Sequence, residues 1–287
     1  MRIAVVTGGK GFIGSHLAGV LAAEGWDVRI ADLPEHDMRD QQSLESIFKG
    51  AHVVFHCAAL PQVQYSIDHP KESNEVNVQG TLNVLLAARD TGVERVVYSA
   101  SSSAYGDQAR MPLREDMPAR PKSPYGLQKY MGEHYARVFA EVYGLSTVSL
   151  RYFNVYGPGA SAEGAYALVL AKFLKQRTEG KPMTITGDGR QTRDFIHVRD
   201  VVRANILAAI SDKVGKGEVI NIGAGENVSV NRIAELIDGP VEYVPARLEP
   251  HDTLADTALA KKLLGWRPTI SIEEGIAELK ALHNLVV

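Results

Sequence analysis

The chain has a single cysteine, Cys57, among its 287 residues, which excludes an internal disulfide. It ends an apolar run, where burial in a core is a more ordinary fate for a thiol than redox chemistry. Net charge is small as well. The value of −3 gives no electrostatic case for nucleic acid or a membrane surface. No apolar run approaches the ~18 residues of a spanning helix. The amino-terminal segment reads as strand from its second residue, without an apolar leader, so a cytoplasmic protein is expected. Fixed-period repeats and low-complexity tracts are also missing. What is present is apolar content, 45% of residues, enough for one or two ordinary domains with ample core.

The first informative stretch is the β-branched run over 2–7, which ends in Gly8-Gly9-Lys10-Gly11-Phe12-Ile13-Gly14 and continues as a helical pattern. Strand, glycine turn and helix in that order let backbone amides approach a pyrophosphate at the positive end of the helix. A second strand over 27–31 ends in Asp32, 18 residues beyond Gly14. An acid there can bind ribose hydroxyls and repel a 2′-phosphate, which favours NAD over NADP, and no Arg stands in the residues right after it to compensate.

Further strands are predicted at about 53–57, 95–100 and 146–151, alternating with helices near 12–24, 41–49, 77–91 and 124–143. That alternation predicts a parallel sheet covered on both faces. After residue 157 the elements shorten: helices near 165–178, 200–211, 230–237, 256–264 and 272–283, with strands near 182–186 and 218–222 that could join either part.

Within the helix over 124–143, Tyr125 and Lys129 are four apart and share a face. A phenol has a pKa of about 10, and a neighbouring ammonium lowers it toward the range of a working base. Such a pair is commonly just surface, and its context must promote it.

That context is a set of ordered motifs: the glycine turn, Phe55-His56-Cys57-Ala58-Ala59, Asn77-Val78-Gln79-Gly80-Thr81, Ser99 to Gly106, the Tyr125/Lys129 pair, Leu150 to Pro158, and Thr192 to Val198. On these the chain resembles, along nearly its whole length, the extended short-chain dehydrogenase/reductase family of nucleotide-sugar epimerases and dehydratases. The resemblance implies an α/β, Rossmann-like doubly wound parallel sheet over 1–157 that binds NAD. It also implies a smaller C-terminal substrate-binding lobe, mainly 158–287 and interleaved with the first part. Only four residues separate Asp32 from Asp37-Met38-Arg39-Asp40, where relatives insert a helix and an outer strand, so a trimmed sheet edge is expected.

The resemblance further implies roles. Tyr125 is the base, Lys129 tunes it, and Ser101 hydrogen-bonds the reacting oxygen. Cofactor contacts fall on Gly8, Gly11, Phe12, Ile13, Gly14, Asp32, Asp37, Met38, Ala58, Ala59, Asn77, Ser99, Tyr125, Lys129 and Phe153. Substrate contacts fall on Ser101, Ser102, Tyr125, Asn154, Arg193, Arg247 and Thr253, with a structural ion pair to Asp194 or Asp200 as the alternative for Arg193. No metal site is expected. Sugar-nucleotide dehydratases follow the catalytic serine with Asp and Glu, but here those positions are Ser102 and Ser103. A hydroxyl cannot replace a carboxylate in eliminating water. What remains is reversible oxidation at one carbinol, and the resemblance then implies C4 epimerisation of a UDP-hexose, UDP-glucose and UDP-galactose with the N-acetylated pair as a further expectation, through a transient 4-keto sugar. A 4-ketoreductase, or a C4 epimerase of a different nucleotide sugar, is the alternative, and a non-catalytic dinucleotide sensor a remoter one. In the family the helices near 77–91 and 124–143 pair across a two-fold axis, so a homodimer is expected.

Overall fold

The computed structural model describes residues 2–162, 169–245 and 252–285. β1 (Ile3–Thr7) runs through the glycine turn into α1 (Phe12–Ala23), followed by β2 (Asp27–Ala31), α2 (Gln41–Phe48) and β3 (Val53–His56). Two short helices with no sequence signal of their own come next, α3 (Val63–Asp68) and α4 (Pro70–Asn74). The helix expected near 77–91 is α5 (Gly80–Asp90), preceded by a π turn over Glu75–Gln79. Then come β4 (Arg95–Ser101), a 3-10 turn over Ser102–Ala104, α6 (Pro124–Tyr143) and β5 (Ser146–Tyr152).

Later in the chain are β6 (Asn154–Tyr156), α7 (Val169–Thr178), β7 (Met183–Thr186), β8 (Thr192–His197), α8 (Val198–Ile210) and β9 (Lys216–Ile222). β10 (Asn227–Ser229), α9 (Val230–Ile237), β11 (Val241–Val244), α10 (Ala258–Leu264) and α11 (Ile272–Leu282) complete the described elements.

Six parallel strands form the central sheet in the order β2-β1-β3-β4-β5-β9. Period-2 alternation sends Ala4, Val6, Phe55 and Val97 to a core shared with α1, α8 and α10, and Val5, Val54 and Val96 to one shared with α2, α5 and α6. β9 therefore settles the open strand near 218: it closes the central sheet, and α8 and α10 pack beside it. The strand near 182 pairs instead with β11.

β2 is the outermost strand, so the trimmed edge is real. Arg29 on it donates to the carbonyls of Ile47 and Lys49, 3.0 and 2.7 Å away at the end of α2. At the base of the sheet, Arg95 donates to the carbonyls of Ala208, Ala209, Ser211 and Val214, closing the carboxyl end of α8.

The lobe is built on a three-stranded sheet, β10-β8-β6. Phe173, Met183, Phe195, Ile233, Ile237 and Ile276 form its own buried core. The strand order reverses at β1 and β3, and a ligand cleft is expected at the carboxyl ends of strands there.

Candidate active site

The glycine turn lies at that reversal. Gly8 has φ +66°, and a Cβ on it would come within 2.7 Å of the Ala58 backbone. A Cβ on Gly14 would collide with the Gly8 carbonyl. The cradle is thus shaped by missing side chains. α1 follows Gly11 with no side-chain cap and no acid in its first turn, leaving its positive end for an outside anion. Phe12 and Ile13 pack that first turn onto the core.

Asp32 closes the far side. Its carboxylate accepts from the Lys10 and Leu33 amides, both at 2.8 Å, and so ties the glycine turn to the end of β2. One expectation needs correction here. A cation does stand beside the Asp32 segment: Lys10 Nζ donates to the Leu33 carbonyl at 2.8 Å and pairs with Glu35 at 3.1 Å.

In place of an outer strand, the shortened connection leans on α5. The Met38 side chain is buried, its carbonyl accepts from Asn83 Nδ2 at 2.9 Å, and a Cβ on Gly80 would strike Met38 Cβ. Asp37 is clamped by Arg39, and Asp40 caps α2.

The helix that carries Tyr125 and Lys129, α6, starts at a Ser123 cap with Pro124 in its first turn. The Tyr125 amide donates to Ser66 Oγ of α3 at 3.0 Å. Two glycines bring α6 close to β4 and to the 3-10 turn that follows it. A Cβ on Gly126 would lie 2.8 Å from the Ser103 carbonyl, and one on Gly132 would collide with Tyr98. Lys129 is buried, donates from Nζ to the Ser99 carbonyl at 2.9 Å, and lies over the Tyr98 ring. One turn farther, Glu133 holds Arg151 through two hydrogen bonds of 2.8 and 2.7 Å. Arg151 in turn lies over the Tyr105 ring.

Burial pulls the Lys129 ammonium down to about 8, against the upward pull of Cys57 and Glu133. It also corrects the expected tuning of Tyr125. Desolvation is the larger influence there and raises the phenol, and the hydrogen bond from Ser101 lowers it again. Spacing predicted proximity to a cation but not the water lost around the ring.

β4 delivers the serine run to the cleft. Ser101 Oγ accepts from the Ser103 amide at 3.2 Å and from its hydroxyl at 2.8 Å, leaving its own proton for Tyr125 or a ligand oxygen. Ser102 opens the 3-10 turn. Ser99 Oγ lies 3.4 Å from Cys57 Sγ and 3.2 Å from the Tyr152 hydroxyl. Cys57 is half-buried, and desolvation pushes its thiol up. The Ala58 amide donates to Thr7 Oγ1 at 3.2 Å, and Ala59 follows in the same loop. Asn77 spends its side chain on that loop, giving to and taking from the Leu60 backbone. The Phe153 ring is buried with Tyr105, Leu113 and Ala255.

On the lobe side, Asn154 Nδ2 donates to the Asp194 carbonyl at 3.2 Å, and the Asp194 amide donates to Thr253 Oγ1 at 3.4 Å. Arg193, between Thr192 and Asp194, donates to the Thr192 carbonyl at 2.9 Å. Asn154, Arg193 and Thr253 are thus brought together. Both carboxylates considered for Arg193 have other donors: Asp194 takes the amides of Ala224, Gly225 and Ala255, and Asp200 takes Thr269, Ile270 and Arg203. Arg247 lies outside the described residues. Sequence reasoning missed Ser66, Glu133, Arg151, Asp194 as a clasp, and Glu115, whose carboxylate accepts from the Asn221 amide at 2.8 Å. Their partners are distant in sequence and leave no local pattern.

Comparison with known proteins agrees with this geometry. The model of the NAD dependent epimerase/dehydratase family matches residues 4–223. A putative UDP-glucose 4-epimerase of Methanocaldococcus jannaschii is 36% identical over 95% of either chain. A UDP-N-acetylglucosamine 4-epimerase of Methanobrevibacter ruminantium, solved with UDP-N-acetylmuramic acid, superposes with TM-score 0.93 at 35% identity over 99% of both chains. The UDP-glucose 4-epimerase of Thermus thermophilus, solved with NAD, gives 0.89 at 33% identity over 100% of both. With its glycine cradle, its Tyr125/Lys129 helix and these relatives, the chain belongs to the NAD-dependent epimerase/dehydratase family.

Proposed function

We propose that the protein interconverts UDP-hexoses at C4, with NAD as a bound cofactor. The observation that carries this reading is the Ser101, Tyr125 and Lys129 constellation beside the glycine cradle, with hydroxyls and no carboxylate at positions 102 and 103. The cradle fits a dinucleotide: Gly8 and Gly14 leave no room for a Cβ, the end of α1 is uncapped, and Asp32 stands where ribose hydroxyls would be received.

Within this reading, Tyr125 takes the proton of the sugar C4 hydroxyl and later returns it, while Ser101 donates to the same oxygen and fixes its position. Lys129 holds a positive charge near the phenolate, anchored on the Ser99 carbonyl. NAD, when bound, accepts the C4 hydride and gives it back, so it is regenerated in each turnover. Asn154 and Arg193 hold the diphosphate and let the keto sugar turn over between the two transfers. The N-acetylated UDP-hexoses belong to the same substrate range, Thr253 leaving space beside C2.

The active form is a homodimer through α5 and α6. Support comes from the apolar side chains α6 leaves exposed, Leu127, Val138, Val142 and Tyr143. A concentration-independent monomer mass in analytical ultracentrifugation would remove that part. Its compartment is the one that holds NAD and UDP-sugars together, the cytoplasm.

The test of the function is C4 inversion. Purified protein incubated with UDP-galactose should form UDP-glucose without added nucleotide, as read by proton NMR of the anomeric signals. Net accumulation of a one-way reduced product, or no inversion of any UDP-hexose, would sink the proposal.

A further inference from the structure

Between Tyr125 and Lys129 sits Gln128, 3% exposed, whose side chain faces α4 and the π turn. Its Oε1 accepts from Asn77 Nδ2 at 2.8 Å, and its Nε2 donates to Ser73 Oγ at 2.9 Å. Ser73 passes its own proton to the Pro70 carbonyl. Asn77, 2% exposed, uses its remaining Nδ2 proton on the Leu60 carbonyl at 3.0 Å and accepts the Leu60 amide at 2.8 Å.

The network has a direction. Thr81 Oγ1 gives its only proton to the Asn77 carbonyl, so toward Thr81 the His56 Nε2 must be the donor. His56 Nδ1 then accepts from Thr7, whose oxygen takes the Ala58 amide. Burial, with the Lys129 charge, lowers His56 to about 3, so the ring stays neutral and the tautomer is fixed. Both ends of the loop over 58–60 are thereby pinned, and the pins meet at Asn77 inside a π turn, a feature found often at functional sites.

We propose that Gln128 is a positioning residue: through Asn77 it sets the catalytic helix against the loop that carries Ala58 and Ala59 on the cofactor side. Each polar side-chain atom of Gln128, Asn77 and Ser73 has a partner, so the arrangement is discrete and resists a shift of helix against loop. An ångström of slack there would spoil the alignment of Tyr125 with a hydride acceptor. The inference rests on the function proposed above.

The test is Gln128→Met, similar in length but unable to pair. Assayed well below its melting temperature, the variant should lose about 10- to 100-fold in kcat for the UDP-hexose, with KM within about threefold, because the phosphate contacts lie in the lobe. NAD release, followed by fluorescence without any sugar, should speed up several-fold. A folded variant with kcat and NAD release within about twofold of wild type would overturn the role, as would KM rising in step with the fall in kcat. If Gln128→Met does not fold, Ser73→Ala removes only the outer hydrogen bond and should move both quantities the same way by less; no movement overturns it. A wild-type chain that inverts no UDP-hexose would defeat the function proposed above, while the NAD-release comparison would still decide the role of Gln128.

Discussion

The Lys129 ammonium donates to the Ser99 carbonyl oxygen at 2.9 Å, so the charge one helical turn from Tyr125 is held by the sheet and not by water. Burial makes that charge costly, and the pKa falls to about 8 from the ~10.4 of an unfolded chain. Between those values the unfolded chain binds more protons than the folded one, so this group's contribution to stability rises with pH through that window. Below it both states are protonated and the cost is full. Lys129→Met should flatten the pH dependence of the melting temperature of the cofactor-free protein between about pH 8 and 10.5. An unchanged slope would assign the titration to another group.

Removing one hydroxyl isolates the proton step. Tyr125→Phe keeps the ring and should lower turnover at least ~100-fold. NAD should still be retained, since the cradle of Gly8, Gly11 and Gly14 is untouched. Turnover near wild type would place the base elsewhere.

Cofactor choice depends on two opposed charges, Asp32 and Lys10. The ammonium is engaged by Glu35 and the Leu33 carbonyl, so the carboxylate governs and NAD should bind better than NADP. In Asp32→Ser the repulsion goes while Lys10 stays within reach of a 2′-phosphate, so NADP affinity should rise about tenfold or more. Calorimetry giving equal affinities for the unmodified protein would refute the assignment to Asp32.

Asp194 joins the strand carrying Arg193 to two other segments, through the amides of Ala224, Gly225 and Ala255 at 2.5, 3.0 and 3.0 Å. In Asp194→Asn an NH2 group would face at least one of these buried donors, costing about 2 kcal/mol or more. Urea unfolding reads the loss. A variant as stable as wild type would mean that the clasp relaxes without penalty.

Sugar size is tested at Thr253, which is half-buried beside Asp194. A tyrosine there should suppress inversion of the N-acetylated UDP-hexoses while largely sparing UDP-glucose and UDP-galactose, because the ring excludes the larger C2 substituent. Equal loss of both pairs would put the gate at another residue.

Much of the fold could be read ahead because its signals are local. The apolar runs of β1, β3 and β4, the glycines at 8, 11 and 14, and the 3.6-residue pattern of α6 each sit within a few neighbours. α3, α4 and β10 are short pieces stabilised by what they touch, such as Ser66 under Tyr125, and carry no pattern of their own. Lys10 escaped notice because a search for a compensating cation looks just after Asp32, whereas the side chain arrives from 22 residues upstream. The clasp on Asp194 joins residues 30 and 61 positions away, a relation that only the folded chain contains.

With the outer strand missing, β2 presents its rim of peptide groups to solvent, the geometry on which another chain could template and aggregate. The strand is five residues long and alternates charge with apolar side chains, Asp27 and Arg29 each followed by Val28 and Ile30 in turn. Arg29 folds onto the end of α2, so a guanidinium hangs over that side of the strand. The shortening that removes a strand therefore leaves one arginine and one aspartate as the charges on this edge, and an apolar replacement of either would weaken its guard against pairing with another chain.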